Sequence, residues 1–306
     1  MATHEPAYHR YFAADVPPDG RKRNLLSMSY AEVAERLREP GQDVVLVPLG
    51  STEKHGAHIP LGTDSYITMT AVVMAAEMAD CLYAPLMPFG YSPHHMGRLL
   101  EGAGTITLQA ETYRRVMHDV ALSLVFHGFR RIVFVSHHGS NTKPIDEILR
   151  YLRYRTGAFF AFYKTPTERE VNVLRGVLEN PPEETPGWHS SELETSCVMA
   201  VHEALVDMRR AVADRAHAPR WMGEKFSKVD GTGTVIFQES ENIWVPMEHH
   251  EYSDTAVIGN PFRANPQKGM EIFRRMARHL ADFVEEVRKF PVEVSHADFP
   301  ERAWQP

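Results

Sequence analysis

The stretch Leu46–Asp64, LVPLGSTEKHGAHIPLGTD, decides how the rest of the chain is read. Val44 to Leu49 is an unbroken apolar run of the length of a buried strand, and Gly50 ends it. Glu53, His55 and Asp64 follow, so groups able to ligate a metal gather at the end of a strand. In extended backbone, residues two apart point the same way, which aims Glu53 and His55 at one point and turns Lys54 elsewhere. Gly56, Pro60 and Gly62 supply the bends that return Asp64 to that point. Two carboxylates and an imidazole suit Zn, Mn or Fe better than a thiolate-loving metal. A polar loop with a solvated Glu-x-His is the plain alternative, and other parts of the chain must choose.

The 306 residues are 43% hydrophobic and 24% charged, ordinary for a globular α/β protein with a large core. A net charge of -7, with no basic cluster longer than Arg21-Lys22-Arg23, argues against a nucleic-acid surface and leaves a small neutral or cationic molecule as the expected partner. No apolar run is long enough to span a bilayer, and MATHEPAYHRYFAADVPPDG has no apolar core before a cleavage site; a cytoplasmic location without a membrane partner is expected. Cys81 and Cys197 make no disulfide framework. The histidines say more: His94-His95, His137-His138 and His249-His250 are adjacent pairs, and His189 lies near Glu192.

Along the chain, residues 1–23 read as an arm, 24–290 as one domain and 291–306 as a tail. Ser29 and Glu32 form a capping box for a short helix to about Arg38. After the Glu53/His55/Asp64 loop, Ser65–Ala79 reads as a largely buried helix and Leu82–Pro85 as a strand. The loop 87–104 holds Ser92, His94 and His95 and suits a pocket wall. Glu111–His127 is an amphipathic helix closed by Gly128, and Ile132–Val135 is a strand that runs into Ser136-His137-His138-Gly139. A second strand thus ends in histidine and glycine, and sites in open α/β sheets gather at such ends. Helix is expected over Pro144–Tyr154, strand over Ala158–Tyr163, and a lid-like excursion over 164–187. A helix follows His189 to about Met208; Asn265 caps a long one to about Phe290. Residues 210–255 show no strong period. Alternating α and β signals indicate a three-layer α/β/α sandwich with a mostly parallel central sheet.

Gly50-Ser51-Thr52-Glu53-Lys54-His55-Gly56 with Pro60-Leu61-Gly62-Thr63-Asp64 resembles the signature of the creatininase (creatinine amidohydrolase) family. Gly104-Thr105-Ile106-Thr107-Leu108, His138-Gly139-x-Asn141, His189-x-x-Glu192-x-Glu194-Thr195-Ser196, Val257-Ile258-Gly259-Asn260-Pro261 and Lys268-Gly269 are similar to it in the same order. The resemblance implies an α/β sandwich with two divalent metal ions per subunit, zinc foremost, with manganese or iron as the other candidates. Glu53 and His138 would share one ion with Asp64, His55 and a further carboxylate would hold the other, and Asp64 would bridge. Ser140 stands where creatininase itself has a glutamate ligand, so the fifth ligand is expected to be Glu192 and creatinine itself is disfavoured as substrate.

The resemblance further implies His189 as the catalytic histidine beside Glu192, with Trp188 lining the pocket. Ser92 and His95 are the expected substrate contacts of the 87–104 loop. Glu194 is expected to cap its helix and His137 to pack in the core or rim, while His249 and His250 receive no role. The implied reaction is hydrolysis of a C–N amide bond in a small cyclic amide by a metal-bridging hydroxide, with His189 moving the proton. The alternatives are a peptidase, a deformylase, a cyclic-ketone hydrolase using the same site, and a metal-binding protein without turnover. A homo-oligomer, as a hexameric ring, is the assembly the resemblance suggests.

Overall fold

The computed structural model describes residues 19–168, 171–179, 181 and 187–295. The arm expected over 1–23 and the tail over 291–306 therefore lie mostly outside the described residues, as does part of the 164–187 excursion.

Helix α1 (Tyr30–Arg36) starts at the expected capping box, with Ser29 Oγ accepting from Glu32 N and Glu32 Oε2 accepting from Ser29 N. Strand β1 (Val44–Leu49) is wholly buried and leads through the Glu53 loop to α2 (Thr63–Ala79). Then come β2 (Leu82–Tyr83), α3 (Ala110–Phe126), β3 (Arg131–Ser136), α4 (Asp146–Thr156), β4 (Phe159–Lys164) and the short α5 (Val171–Leu174). After α6 (Glu192–His202) the strands β5 (Phe226–Ser227), β6 (Thr234–Phe237) and β7 (Ser240–Trp244) precede α7 (His249–Tyr252) and the long α8 (Pro266–Arg288).

The central sheet has the order β2-β1-β3-β4 and every pair is parallel. Alternation along β1 feeds both faces, as a two-residue period requires. Val44 and Leu46 pack with Met69, Val72 and Val73 of α2 and Leu280 and Val284 of α8. Val45, Val47 and Leu49 pack instead with Tyr113, Met117 and Val125 of α3 and Leu152 of α4. Helices on both faces of a parallel sheet make the expected α/β/α sandwich. A third cluster joins Ile67 and Ala71 of α2 to Leu193 and Cys197 of α6 and Phe273 of α8, so α2 is covered nearly all round.

The register positions the site. Leu49 pairs with Ser136 and Ser136 with Lys164, so the carboxyl ends of β1, β3 and β4 lie level and their loops leave the sheet side by side. The chain runs from β1 to β2 on one side and then crosses to β3 on the other. The gap between β1 and β3 is thus the topological switch point, where ligands settle in open α/β sheets.

Three expectations need correction. The helix after His189 stops at His202 and gives way to tight 3-10 turns at Glu203–Leu205 and Met208–Arg210, short of a continuous run to Met208. Residues 210–255 form an antiparallel sheet, β5-β6-β7, packed through Val235, Met247, Tyr252 and Ile258. Its strands are only two to five residues long and half exposed, too short for a period to register. Asp64 lies within the first turn of α2, which begins at Thr63, ahead of the expected start at Ser65. Among the described residues no helix is long and apolar enough to cross a membrane.

Candidate metal centre

Glu53, Asp64 and His138 are buried and present donor atoms within 4.8 Å of one another; so do His55, Asp64 and Glu194. Asp64 belongs to both groups. The β1 loop, the first turn of α2, the end of β3 and the first turn of α6 therefore converge at the switch point. His138 Nδ1 lies 3.0 Å from Glu53 Oε2 and 3.5 Å from Asp64 Oδ2, and His55 Nε2 lies 3.7 Å from Glu194 Oε2.

Hydrogen bonds behind these groups fix their orientation. His55 Nδ1 donates to the Glu53 carbonyl at 3.0 Å, which leaves Nε2 as the lone-pair nitrogen, buried with no hydrogen-bond partner. His138 Nε2 donates to the Tyr91 carbonyl at 3.0 Å, which leaves Nδ1 for the carboxylates. Imidazole ligands are held in one tautomer in this way. Ser51 and Ser92 hydroxyls both donate to Glu53 Oε2, at 2.8 and 2.7 Å. His137 Nδ1 meets Thr165 Oγ1 at 2.6 Å and its Nε2 meets Glu194 Oε1 at 3.2 Å. The Ser190 amide donates to the other Glu194 oxygen, so Glu194 does serve the helix entrance as well.

The charge states match a cation site. Burial, then the charges of Glu53 and Glu194, push the Asp64 carboxyl well above its usual range. Burial opposes ionisation of Glu53 and Glu194 too, yet the surrounding histidines hold both below the usual range. Burial, helped by His189, brings His55 down to about 4, so it is neutral as a ligand must be. Carboxylates around one point repel unless a cation lies among them. Asp64 Oδ2 and His55 Nε2 are both buried without a hydrogen-bond partner, which is the condition of ligand atoms awaiting an ion. The donor set fits two divalent cations.

Of the sequence-derived ligands, Glu53, His55, Asp64 and His138 are brought together and Glu192 is not. Glu192 Oε1 accepts from Lys268 Nζ at 2.6 Å and its other oxygen accepts from the Glu179 amide. A helix turns ~100° per residue, so residues two apart face nearly opposite ways. Glu194, expected only as a cap, faces the centre in its place. Ser92 is also corrected: it is fully buried behind Glu53 and forms no part of the cavity wall. His137, expected to pack in core or rim, holds Glu194 and lines the cavity. Its two polar neighbours, Thr165 and Glu194, come from distant segments that sequence spacing does not connect.

His189, His95 and Trp188 line a cavity of about 220 Å³ with Glu53, Asp64 and Glu194. The His189 ring stacks on His55 with centroids 4.3 Å apart, and its Nε2 donates to the Lys54 carbonyl at 3.0 Å, leaving Nδ1 to exchange protons. His95 Nε2 lies 3.3 Å from Glu53 Oε1. His249, without a sequence-derived role, meets His95 and His189 edge-on, with centroids 4.4 and 5.0 Å apart. His189 is positioned by a backbone bridge to Ile258, each amide donating to the other's carbonyl. Gly259 (φ +127°) lets this bridge close: a β-carbon there would lie 2.2 Å from Ser191 Oγ.

The creatinine amidohydrolase family model matches residues 26–284. A mycofactocin precursor peptide peptidase of Mycobacterium tuberculosis is 34% identical over 248 residues, 76% of this chain and 80% of that protein. A 3-dehydro-scyllo-inosose hydrolase of Thermotoga maritima is 26% identical over 87% of this chain and 84% of its own length. A creatinine amidohydrolase of Pseudomonas putida is 29% identical over 56% of this chain and 69% of that one. Among solved structures, a creatininase described with Mn superposes with a TM-score of 0.68 at 21% identity, covering 88% of this chain and 100% of its own. A Zn-Zn type mutant creatininase gives 0.68 at 22%, covering 88% and 99%. Matched across nearly the whole sandwich, the chain belongs to the creatininase family of hydrolases.

Proposed function

We propose that this chain is a binuclear metal-dependent hydrolase that cleaves a C–N amide bond of a small substrate. The observation that carries this is the pair of donor groups sharing Asp64, with an oriented histidine beside them on the cavity wall. Glu53, His138 and Asp64 would hold one ion, and His55, Glu194 and Asp64 the other. When bound, two divalent ions supply Lewis acidity toward a carbonyl oxygen and make water acidic near neutral pH. Zinc and manganese, the metals named for the solved creatininases, both suit this donor set.

The chain's own residues do the rest. His189 takes a proton on Nδ1 from the attacking water and returns it to the departing nitrogen, while the Lys54 carbonyl keeps its Nε2–H fixed. Its stacking on His55 holds the ring over the centre. His137 and the Ser190 amide hold Glu194, and Ser51 and Ser92 hold Glu53, so neither carboxylate need reorganise during reaction. A cavity of about 220 Å³ accepts a small cyclic amide or the end of a peptide, not a folded protein. A peptidase is the second reading, supported by the 34% identity to the mycofactocin precursor peptide peptidase.

The first test is metal content per subunit beside hydrolysis of lactams, cyclic ureas, formamides and short peptides. The parent should carry about two ions, Glu194→Gln about one with activity down ~10³-fold or more, and Glu192→Gln about two. A parent that binds no metal under metal-replete conditions would sink the hydrolase proposal. Which compound is consumed separates the cyclic-amide from the peptidase reading.

A further inference from the structure

The cavity is lined on one side by residues that the proposed chemistry does not use. Lys164 is the last residue of β4, and Lys143 follows the Gly139–Thr142 turn at the end of β3. In the strand order the metal ligands occupy the β1/β3 gap, so the two lysines mark the neighbouring β3/β4 side of the same opening. Lys164 Nζ sits over the Trp188 ring, 5.3 Å from its centroid. Gly139 lies against its stem, where a β-carbon would make ordinary contact at 3.6 Å from Lys164 Cε and 3.9 Å from Nζ. Among the described residues neither lysine forms an ion pair or side-chain hydrogen bond, whereas Lys22, Lys228, Lys268 and Lys289 are each paired.

The lysines have no countercharge to wait for within the site. Two divalent ions offset the three carboxylates Glu53, Asp64 and Glu194 together with a metal-bound hydroxide, so the loaded centre offers neither lysine a countercharge. A neutral substrate would leave the two ammonium groups uncompensated on one wall of a small cavity, where their repulsion is poorly screened. An anionic substrate removes that repulsion and pairs both lysines. We propose that the substrate carries a carboxylate, seated between Lys143 and Lys164 and stacked along Trp188, while its amide lies over the metal centre. The proposal rests on the metal-hydrolase reading for the amide, but the carboxylate seat is a matter of binding and stands or falls without turnover. Two sources share this chemistry: the free terminal carboxylate of a short peptide, and a carboxyl group borne by a cyclic amide.

The test is calorimetric titration of the zinc-loaded protein with matched probes that differ only in charge. N-acetylglycine is compared with N-acetylglycinamide, and 5-oxoproline with 2-pyrrolidinone. The carboxylate member should bind at least tenfold more tightly in one pair or both. In a Lys143→Met, Lys164→Met double variant with unchanged zinc content, that ratio should fall to near one, because methionine keeps the apolar stem and removes the charge. The pair with the larger lysine-dependent ratio identifies the open-chain or the cyclic source. A preference that survives in the double variant would assign the carboxylate to the metals, and a parent with no preference, or no binding of any probe, would remove the seat altogether; either overturns the proposal. Hydrolysis of the same compounds is scored separately, so loss of turnover with the preference intact would fault the hydrolase reading alone.

Discussion

Glu192 and Glu194 are two positions apart in one motif, and helix phase alone decides which of them reaches the metal centre. Exchanging their roles by mutation is therefore informative at single-residue resolution. Glu192→Gln should leave metal content intact and cost about 1–3 kcal/mol of stability, since Lys268 loses a partly buried charge-assisted bond. Urea unfolding with the metal content measured alongside would check this. His137 acts one step behind Glu194, and His137→Ala should weaken binding of the ion by ~10–100-fold in a chelator competition while the fold persists. Glu168 carries the clearest pH signature. Burial pushes its carboxyl from an ordinary 4.5 up to about 7, against the bonds it accepts from the Leu193 amide and Ser191 hydroxyl. Between those values the folded chain keeps a proton that the unfolded chain has released, so stability is fully present below about 4.5 and declines as pH rises through about 7. In the metal-free protein the difference between parent and Glu168→Gln should change by roughly 3 kcal/mol between pH 4.5 and 8. A flat difference across that range would show that Glu168 titrates normally.

At the scale of elements, α8 and α6 form the lever that places Glu194. Their axes approach closely because Gly269 faces α6: a β-carbon at Gly269 would lie 2.0 Å from the Ser196 carbonyl oxygen and 2.7 Å from Ala200 Cβ. In an exposed helix, Gly→Ala would gain ~1 kcal/mol from propensity. Here the outcome reverses, and Gly269→Ala should destabilise by about 1–3 kcal/mol and loosen metal binding as α6 shifts. The melting temperature and the metal dissociation constant should move together. Asn265 begins α8 by accepting from Lys268 N at 2.9 Å, a cap that the Asn-Pro pair announces in the sequence. The strands were legible for a similarly local reason. Val44–Leu49 and the run before His137 are continuous apolar segments bounded by breakers, as both-face burial in a parallel sheet demands. The β5-β6-β7 sheet was not legible, because its short strands bury one residue at a time against loops rather than a periodic face.

For the whole molecule, the centre joins β1, α2, β3 and α6, so bound ions tie together segments far apart in sequence. Stripping them with chelator should remove about 2.7 kcal/mol per site at free metal a hundredfold above the dissociation constant, and lower the melting temperature by at least ~5 °C. Scanning calorimetry with and without added zinc would measure it. Met96, Leu99, Leu100 and Ile106 are exposed apolar side chains, and we propose this loop as the contact of the expected homo-oligomer. Leu99→Ser with Leu100→Ser should shift the mass in light scattering toward the monomer if this loop lies between subunits. The sequence by itself determined the layered α/β fold and four of the five candidate ligands, Glu53, His55, Asp64 and His138. Those signals are local: each ligand follows an apolar strand or opens a helix within a few residues. Only the tertiary structure brought Glu194 in as the fifth candidate ligand and decided the support from His137, the burial of Ser92 and the lysine-lined side of the cavity. Each of these depends on the phase of a helix or on contacts between distant segments, and neither is encoded in the spacing of neighbouring residues.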